Sequence, residues 1–352
     1  MTDSDSGKGL SLDDVRGAGV EASLRPTTTG ARIAHLLQRD GVGATVVLVL
    51  VIIFAASTVD GFGSIGNIRN VLISVSFPAI IAIGMTMVIV TGGIDLSLGS
   101  VYALAAILCT KVLDVSKGMG GNAIAGIALA LGAALLIGLV QGVLIARVGL
   151  PPFIVTLAGL YGVRGLVYFV SNNGNDVYSA PQSGAFYQFG TGTVFTIGYP
   201  VVLALILYLL AHVTLSRTSF GLTAYALGGS EDASSLMGLK VRSTKIRLYV
   251  ISAGLAGVAG ILAAAYSQSG TPDLGRGFEL NAIAAVVIGG TLLTGGAGSL
   301  IGTAAGVLLL GVVSSYINLG TDLPQAAQAV VTGAFVIVVV IVQRYLNRVQ
   351  RR

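Results

Sequence analysis

The sequence predicts an all-α integral membrane protein with about ten transmembrane helices, some of them short or broken. Hydrophobic residues make up 54% of the 352 residues and charged residues only 10%, whereas soluble domains average about 25% charged residues. Several apolar runs reach the roughly 20 residues that a helix needs to cross the hydrocarbon core. The 50 glycines suit close helix packing in a bilayer. A soluble glycine-rich β protein is disfavoured, because the runs are too long for strands.

Ten apolar segments are predicted to cross the membrane. Two of them, the third and the eighth, are short for a full span. The segments are residues 42–59, 68–90, 99–113, 123–146, 153–170, 194–215, 246–267, 280–293, 299–317 and 326–345.

Three of these segments carry residues that shape helices. Pro78 lies inside the second segment and predicts a kink there. Gly138-x-x-x-Gly142 in the fourth segment and Gly302-x-x-x-Gly306 in the ninth place two small residues on one helix face. This spacing predicts that neighbouring helices approach closely at both sites.

The distribution of basic residues predicts the orientation. With the N-terminus inside, ten crossings return the C-terminus to the inside, and fifteen of the 20 Lys and Arg residues fall on that side. Only Arg69, Lys111, Lys117 and Arg276 fall outside, and Arg164 falls within a span. Cytoplasmic loops carry such an excess of basic residues. The sequence therefore predicts a multi-pass protein of the plasma (inner, cytoplasmic) membrane with both termini cytoplasmic. Bases at membrane edges argue against nucleic acid as a partner.

The predicted domain organisation has three parts. Residues 1–40 form a polar cytoplasmic tail, mostly disordered, with a short helix near 33–37 and no apolar core of the kind that signal peptides have. Residues 41–346 form the transmembrane domain, which includes a cytoplasmic loop at 217–247. Residues 347–352 form a basic cytoplasmic C-terminus.

A stretch at 90–100 interrupts the apolar pattern between the second and third segments. Gly92 and Gly93 permit an irregular backbone, and Asp95 and Ser97 follow them. An ionised Asp95 at membrane depth needs a partner or water, and irregular backbone there must line a cavity or lie buried in protein. The stretch therefore predicts a broken helix on a translocation pathway. In the structural alternative, Asp95 caps the next helix.

A second glycine-rich interruption begins at Gly289 and Gly290 and ends at Ser299. Like the first, it has Gly-Gly, a linker with Leu and a hydroxyl residue, and Gly-Ser opening a new apolar helix. Paired interruptions at corresponding positions of two halves indicate a pathway at the bilayer midplane. The pair therefore predicts an internal repeat of two halves.

The loop at 217–247 predicts a docking segment. Ser230 is a good N-cap, Glu231 and Asp232 suit the first turn of a helix, and Gly238 is a good terminator. A short amphipathic helix is therefore expected at 231–237, and its acidic character favours a protein partner over lipid. The residues assigned to this segment, which we expect to couple to an ATPase, are Gly228, Gly229, Ser230, Glu231, Asp232, Ala233 and Gly238.

Four motifs in order resemble the monosaccharide permeases of ATP-binding-cassette (ABC) importers, of the ribose/xylose/arabinose/galactose type. The resemblance covers about residues 67–341. The motifs are Thr91-Gly-Gly-Ile-Asp-Leu-Ser97, Pro151-Pro-Phe-Ile-Val-Thr-Leu157, the loop at 228–238, and Phe278-Glu-Leu-Asn-Ala-Ile-Ala-Ala-Val-Val-Ile-Gly-Gly290. With Glu279 and Asn281 of the last motif, the predicted translocation pathway comprises Gly92, Gly93, Asp95, Ser97, Glu279, Asn281, Gly289 and Gly290.

The resemblance implies that the chain imports a monosaccharide or similar small polar solute. It also implies three protein partners: an ABC ATPase subunit, an external substrate-binding protein, and a second permease copy or paralogue. The sequence has no G-x-x-x-x-G-K-[ST] phosphate loop. We therefore expect no cofactor, no metal and no catalytic residue on this chain, with ATP bound by the partner subunit.

Three other functions compete with this one. An ion-coupled secondary transporter would also explain Asp95 and the paired interruptions, but it would not explain a loop suited to docking. A channel is disfavoured because no filter-like repeat or charged ring is present. A membrane enzyme is disfavoured because no His/Cys/carboxylate cluster has catalytic or metal spacing. Arg164 lies well inside the fifth segment, so we expect it to find a charged partner, with Asp95 and Glu279 as candidates, or to face a wet cavity. The alternative is that its side chain reaches a membrane interface.

Overall fold

The computed structural model describes residues 41–321 and, beyond them, residues 323, 324, 327, 330, 331, 333, 334, 337 and 341. The predicted tail at 1–40 and the basic terminus at 347–352 lie outside the described residues, as does most of the predicted tenth span at 326–345.

The described part of the chain is a bundle of α-helices. Its helices are α1 (Val42–Thr58), α2 (Ile65–Ile89), α3 (Leu98–Leu113), α4 (Ala123–Val143, continued by a π-helical turn at Leu144–Val148), α5 (Pro152–Val170), α6 (Gly184–Thr191), α7 (Tyr199–Arg217), α8 (Ser219–Gly229), α9 (Glu231–Leu236), α10 (Val241–Ser267), α11 (Phe278–Ile288) and α12 (Leu300–Gly320). Its four strands are β1 (Tyr178–Ser179), β2 (Thr193–Val194), β3 (Ile197–Gly198) and β4 (Ser269–Gly270). Strand β1 pairs antiparallel with β4, and β2 with β3.

The first nine predicted spans each correspond to a helix of the described residues. Six helices, α2, α4, α5, α7, α10 and α12, are long and apolar enough to cross a membrane, and α1, α3 and α11 are shorter apolar helices. With 11 residues, α11 rises only about 16 Å and reaches halfway across the hydrocarbon core. The eighth span is therefore a half-helix, as its short apolar run indicated.

Two predicted spans have wrong starting points. The sixth was expected to begin at residue 194, but α7 begins at Tyr199. The residues before it form the β2–β3 hairpin, in which Phe195 and Thr196 have positive φ. The seventh was expected to begin at residue 246, but α10 begins at Val241, because its first turn is polar and extends beyond the apolar run.

The centre of the bundle consists of α2, α3 and α10. Helices α2 and α10 are the most buried of the long spans, and α10 packs against both α4 and α3. Gly138 and Gly142 of α4 face α10: an added Cβ at Gly138 would lie 2.6 Å from the carbonyl oxygen of Tyr249, and one at Gly142 would lie 2.9 Å from Cα of Ile246. The predicted close contact of the first GxxxG pair is thus confirmed.

The loop after α3 is held by one carboxylate. Oδ1 of Asp114 accepts hydrogen bonds from Ser116 N–H (2.7 Å), Ser116 Oγ (2.7 Å) and Lys117 N–H (2.9 Å), and Oδ2 accepts from Ser179 N–H (2.7 Å). Burial acts to raise the pKa of Asp114, but these hydrogen bonds outweigh it and hold the pKa well below the usual 3.8. Asp114 therefore joins this loop to β1 as an anion.

Replacing Asp114 by Asn is expected to loosen β1. The amide Nδ2 would face Ser179 N–H, so two donors would meet where a charge-assisted bond existed. Losing such a bond, worth roughly 1.5–3 kcal/mol, should speed hydrogen exchange of the Ser179 amide at least about tenfold at pH 7. The lowered pKa means that the carboxylate stabilises the fold above about pH 3.8 and less as pH falls below it. Mass-spectrometric exchange should therefore show the difference between Asp114→Asn and wild type shrinking in that acid range, and a constant difference would contradict this account.

Candidate functional site

The predicted helix at 231–237 is present as α9. Ser230 caps it, with Oγ accepting a hydrogen bond from Ala233 N–H at 3.2 Å, and Gly238 follows it with φ of 75°. Both signals were visible in the sequence. The preceding residues were not expected to be helical, but they form α8, so Gly228 and Gly229 end a helix instead of lying in an open loop.

The surface of α9 combines acidic and apolar side chains. Glu231 forms an ion pair with Lys245 of α10, with 2.6 Å between Oε2 and Nζ. Asp232 is exposed. Leu236 and Met237 are 90% and 68% exposed, although they are large and apolar. A groove of about 820 Å³ separates α9 from the turn after α4, and Arg147, Pro151 and Pro152 line its other wall.

The two glycine-rich interruptions meet at Gly228. An added Cβ at Gly228 would overlap the carbonyl oxygen of Val90 and the amide nitrogen of Gly296. The two interruptions also bond directly, because Gly296 N–H donates to the carbonyl oxygen of Val90 at 2.8 Å. Gly295 has φ of 85°, and an added Cβ there would lie 2.6 Å from the amide nitrogen of Gly92. We call this three-way contact of residues 90–92, 228 and 295–296 the glycine junction.

Two other predicted pathway residues, Gly289 and Gly290, begin the second interruption. Gly289 is buried, and an added Cβ would overlap the backbone of Gly302, which brings the ends of α11 and α12 together. Gly290 is exposed with φ of 92°. Tyr225 of α8 donates from its hydroxyl to the carbonyl oxygen of Gly298 at 2.8 Å. Helix α8 therefore contacts the second interruption through a side chain as well as through its backbone.

Asp95 is fully buried and held by hydroxyl and backbone donors. Its Oδ1 accepts from Ser97 N–H at 3.1 Å and from Ser97 Oγ at 2.7 Å, and its Oδ2 accepts from Ser252 Oγ of α10 at 3.3 Å. Ser97 Oγ also lies 3.2 Å from Oε1 of Gln141 in α4. We call Asp95, Ser97, Gln141 and Ser252 the aspartate cluster. It joins the first interruption to two neighbouring helices.

The aspartate cluster differs from simple capping of α3. The N-cap position of α3 is Ser97, whose side chain makes no capping bond, and Asp95 bonds Ser97 N–H in a tight local turn. Sequence reasoning missed Ser252 and Gln141, because a single serine or glutamine inside an apolar helix carries no signal of its own. Gly93 is buried beside the hydroxyl of Tyr249, 2.6 Å from the position of an added Cβ.

Arg164 does not pair with Asp95, and with Glu279 it shares a charge interaction but no close ion pair. Arg164 Nη1 donates to the carbonyl oxygens of Pro272 and Leu274, both at 3.0 Å, and neither acid is in an ion pair with it. Backbone carbonyls of the segment after β4 thus accept both hydrogen bonds from Nη1. Glu279 is buried, with Oε2 close to the position of an added Cβ at Gly99.

Asn281 lies apart from the glycine junction. It is eight residues from Gly289 along α11, which corresponds to about 12 Å, and it faces a cleft of about 500 Å³ between α2, α11 and α12. The predicted pathway residues therefore do not form one site. Gly92 lies in the glycine junction, Gly289 and Gly290 begin the second interruption, Asp95 and Ser97 belong to the aspartate cluster, Gly93 lies beside Tyr249, Glu279 lies beside Gly99, and Asn281 faces the cleft.

The chain is similar to known transport permeases over most of its length. Residues 67–340 match the family model described as "Branched-chain amino acid transport system / permease component". An inner membrane ABC transporter permease protein of Escherichia coli (strain K12) is 38% identical over 306 residues, covering 86% of this chain and 90% of the relative. The ribose import permease protein of the same strain is 38% identical over 298 residues, covering 83% and 90%. The L-arabinose ABC transporter permease protein of Azospirillum brasilense is 33% identical over 338 residues, covering 94% and 95%.

These similarities confirm the importer prediction and give the ion-coupled alternative no support. They extend over the helices that carry the glycine junction, the aspartate cluster and the cleft, and they mark a transport subunit of the bacterial inner membrane. The chain therefore belongs to the family of branched-chain amino acid transport system / permease components, as the permease of an ABC importer.

Proposed function

We propose that the chain is the permease through which a monosaccharide, delivered by an external binding protein, crosses the membrane with energy from a separate ATPase. The names of the relatives, which specify ribose and L-arabinose, support this substrate class. The absence of a phosphate-loop motif from the sequence supports a separate ATPase. A second permease, identical or paralogous, completes the pathway, and the termini and α9 face the cytoplasm.

The observation that carries this proposal is the connection of α9, through α8, to both interruptions. The α9 surface with Leu236 and Met237 is the docking surface for the ATPase. Large exposed apolar side chains that are surrounded by polar residues are typical of binding sites for other proteins. Between α9 and the interruptions lies only α8, whose Gly228 contacts Val90 and Gly296. A displacement of α9 therefore reaches the backbone that ends α2 and the backbone that begins α12.

The transport step follows from this connection. Closure of the two ATPase subunits on ATP moves α9 and α8. Because the glycine junction packs backbone against backbone, its three segments cannot slide independently, and the broken helices must repack together. The repacking switches the pathway from one side of the membrane to the other. The aspartate cluster holds the first interruption to α4 and α10, so those helices take part in the same change.

Replacing Leu236 by Asp should release the ATPase. Leu236 is 90% exposed, so the substitution removes an apolar contact of the complex at little cost to the fold. The introduced carboxylate would lose its hydration in the complex without a partner, which costs several kcal/mol. The ATPase that co-purifies with tagged permease from native membranes should therefore fall at least about tenfold. Val115→Asp, at an apolar side chain 85% exposed at the opposite end of the bundle, is the matched control and should retain the ATPase. If equal amounts of the ATPase co-purified with both variants, α9 would not be the docking surface.

A further inference from the structure

The cleft between α2, α11 and α12 takes no part in the transport step described above. Its composition is unusual for a membrane protein surface. Its volume of about 500 Å³ lies within the roughly 300–1,000 Å³ of ligand sites. Polar and apolar residues share its lining, but no charged side chain is among the described residues that form it. The polar members, all amides and hydroxyls, are Asn67, Asn70, Ser74, Asn281, Ser314, Ser315 and Asn318.

The polar groups lie on consecutive turns of two helices. On α2, Asn70 and Ser74 are four residues apart, with Pro78 one further turn along. On α12, Ser314 and Asn318 have the same spacing. Each set therefore forms a stripe on one helix face. Ser315 Oγ donates to Oδ1 of Asn67 at 2.9 Å, so the two stripes begin at the same level, at the end of the bundle opposite to α9.

Asn281 lines the cleft at about the level of the midpoint of α12. Added Cβ atoms at Gly302 and Gly306 would overlap the carbonyl oxygens of Gly289 and Ala285, so α11 and α12 run antiparallel in a fixed register. Continuing that register by one turn places Asn281 beside Leu310, the midpoint of the 21-residue α12. The polar stripes thus lead from one end of the bundle to its centre.

Exposed amides and hydroxyls within apolar membrane segments require water or a polar partner. Asn70, Ser74, Asn281, Ser314 and Asn318 are all exposed, and an unbonded amide in hydrocarbon costs several kcal/mol, about 4–8 in a solvent without hydrogen bonds. Polar side chains in membrane segments accordingly face a wet cavity or another polar surface. Leu280, next to Asn281 on α11, is 62% exposed and lies outside the lining of the cleft.

From this arrangement we infer that the cleft is a hydrated transit site for neutral, polyhydroxylated solutes. Amides and serine hydroxyls both donate and accept hydrogen bonds, and so do sugar hydroxyls. Phe278 and Pro78 in the lining offer apolar surface to the C–H face of a sugar ring. An amino acid carries an ammonium and a carboxylate, for which the described lining offers no ionic partner. This inference rests on the proposed function for its solute and assigns the site that selects it.

Cysteine labelling tests the inference in the assembled importer. The native Cys109 is buried. Asn281→Cys and Leu280→Cys therefore each add one thiol at an exposed position, on adjacent residues of α11. A membrane-impermeant methanethiosulfonate reacts only with hydrated thiolate, so Asn281→Cys should react at least about tenfold faster than Leu280→Cys. Labelling of Asn281→Cys should then stop uptake of radiolabelled ribose or arabinose into cells that express the full importer.

Other outcomes of the labelling experiment would contradict either the transit site or the proposed substrate. Equal labelling rates, or unchanged sugar uptake after complete labelling of Asn281→Cys, would overturn the transit site. Uptake of radiolabelled leucine that labelling blocks would overturn the neutral-solute assignment. The labelling rates do not depend on the transported solute. If the wild-type importer takes up neither sugar, the proposed substrate class fails, while the ratio of labelling rates still decides whether the cleft is aqueous.

Discussion

Replacing Gly228 by Val should reduce solute uptake about 10- to 100-fold, because overpacking of a close contact typically costs about 1–3 kcal/mol. The first added carbon already overlaps the carbonyl oxygen of Val90 and the amide nitrogen of Gly296. These are backbone atoms, which cannot rotate away as a side chain does. The hydrogen bond between Gly296 and Val90 would also be lost if the segments separated. Uptake of radiolabelled sugar into cells, normalised to the amount of protein in the membrane, measures the effect.

Gly229→Val is the matched control. It is the neighbouring glycine in the same helix end, and an added Cβ there meets nothing within 4 Å. Both variants add the same side chain and lose the same backbone freedom, so only the contact at the glycine junction differs between them. ATP hydrolysis by the purified complex should continue in Gly228→Val without stimulation by loaded binding protein. Equal uptake by the two variants would show that the contact at Gly228 does not transmit the motion.

The helices of this protein could be predicted from local signals. Each of the first nine apolar runs is a helix, because burial of an apolar run in a bilayer and its internal hydrogen bonding both depend on the run itself. The α9 helix followed equally from Ser230 and Gly238, whose capping roles act within a few residues. The glycine-rich interruptions were recognised for the same reason.

Contacts between distant segments could not be predicted in this way. Glycine has no side chain that would specify its neighbour, so nothing in the sequence indicated that Gly228 meets Val90 and Gly296. Arg164 was expected to pair with a carboxylate, but it donates hydrogen bonds to the carbonyl oxygens of Pro272 and Leu274. Because every residue carries a carbonyl, the sequence does not indicate which ones will accept such bonds.

The cleft escaped prediction because its polar residues come from three segments. Within α2, α11 or α12 each of these amides or serines is a single polar residue in an apolar segment. A single polar residue does not change the prediction of a membrane-spanning helix. Their shared orientation depends on the register between α11 and α12, which close glycine contacts determine. Only Asn281 was among the predicted pathway residues, and it was included because of a motif. The internal repeat of two halves and the kink at Pro78 stay predictions.

Asp95→Ala should destabilise the protein strongly, whereas Asp95→Asn should be tolerated. The alanine leaves Ser97 N–H, Ser97 Oγ and Ser252 Oγ without their acceptor in a fully buried site. An orphaned buried donor costs about 1–3 kcal/mol. Ser97 Oγ retains Gln141 as an alternative acceptor, so the other two donors should together lose about 2–6 kcal/mol. Thermal unfolding in detergent, followed by size-exclusion chromatography, measures it.

The asparagine variant separates a structural role of Asp95 from an ionic one. Its Oδ1 keeps both bonds from Ser97, and its Nδ2 can donate to Ser252 Oγ, which then acts as acceptor. The geometry therefore survives while the negative charge is lost. If the aspartate cluster only joins the first interruption to α4 and α10, Asp95→Asn should transport at close to the wild-type rate. A variant that is as stable as wild type but transports nothing would show that the charge itself is required, as it would be for a coupling ion, and the aspartate cluster would then belong to the translocation chemistry.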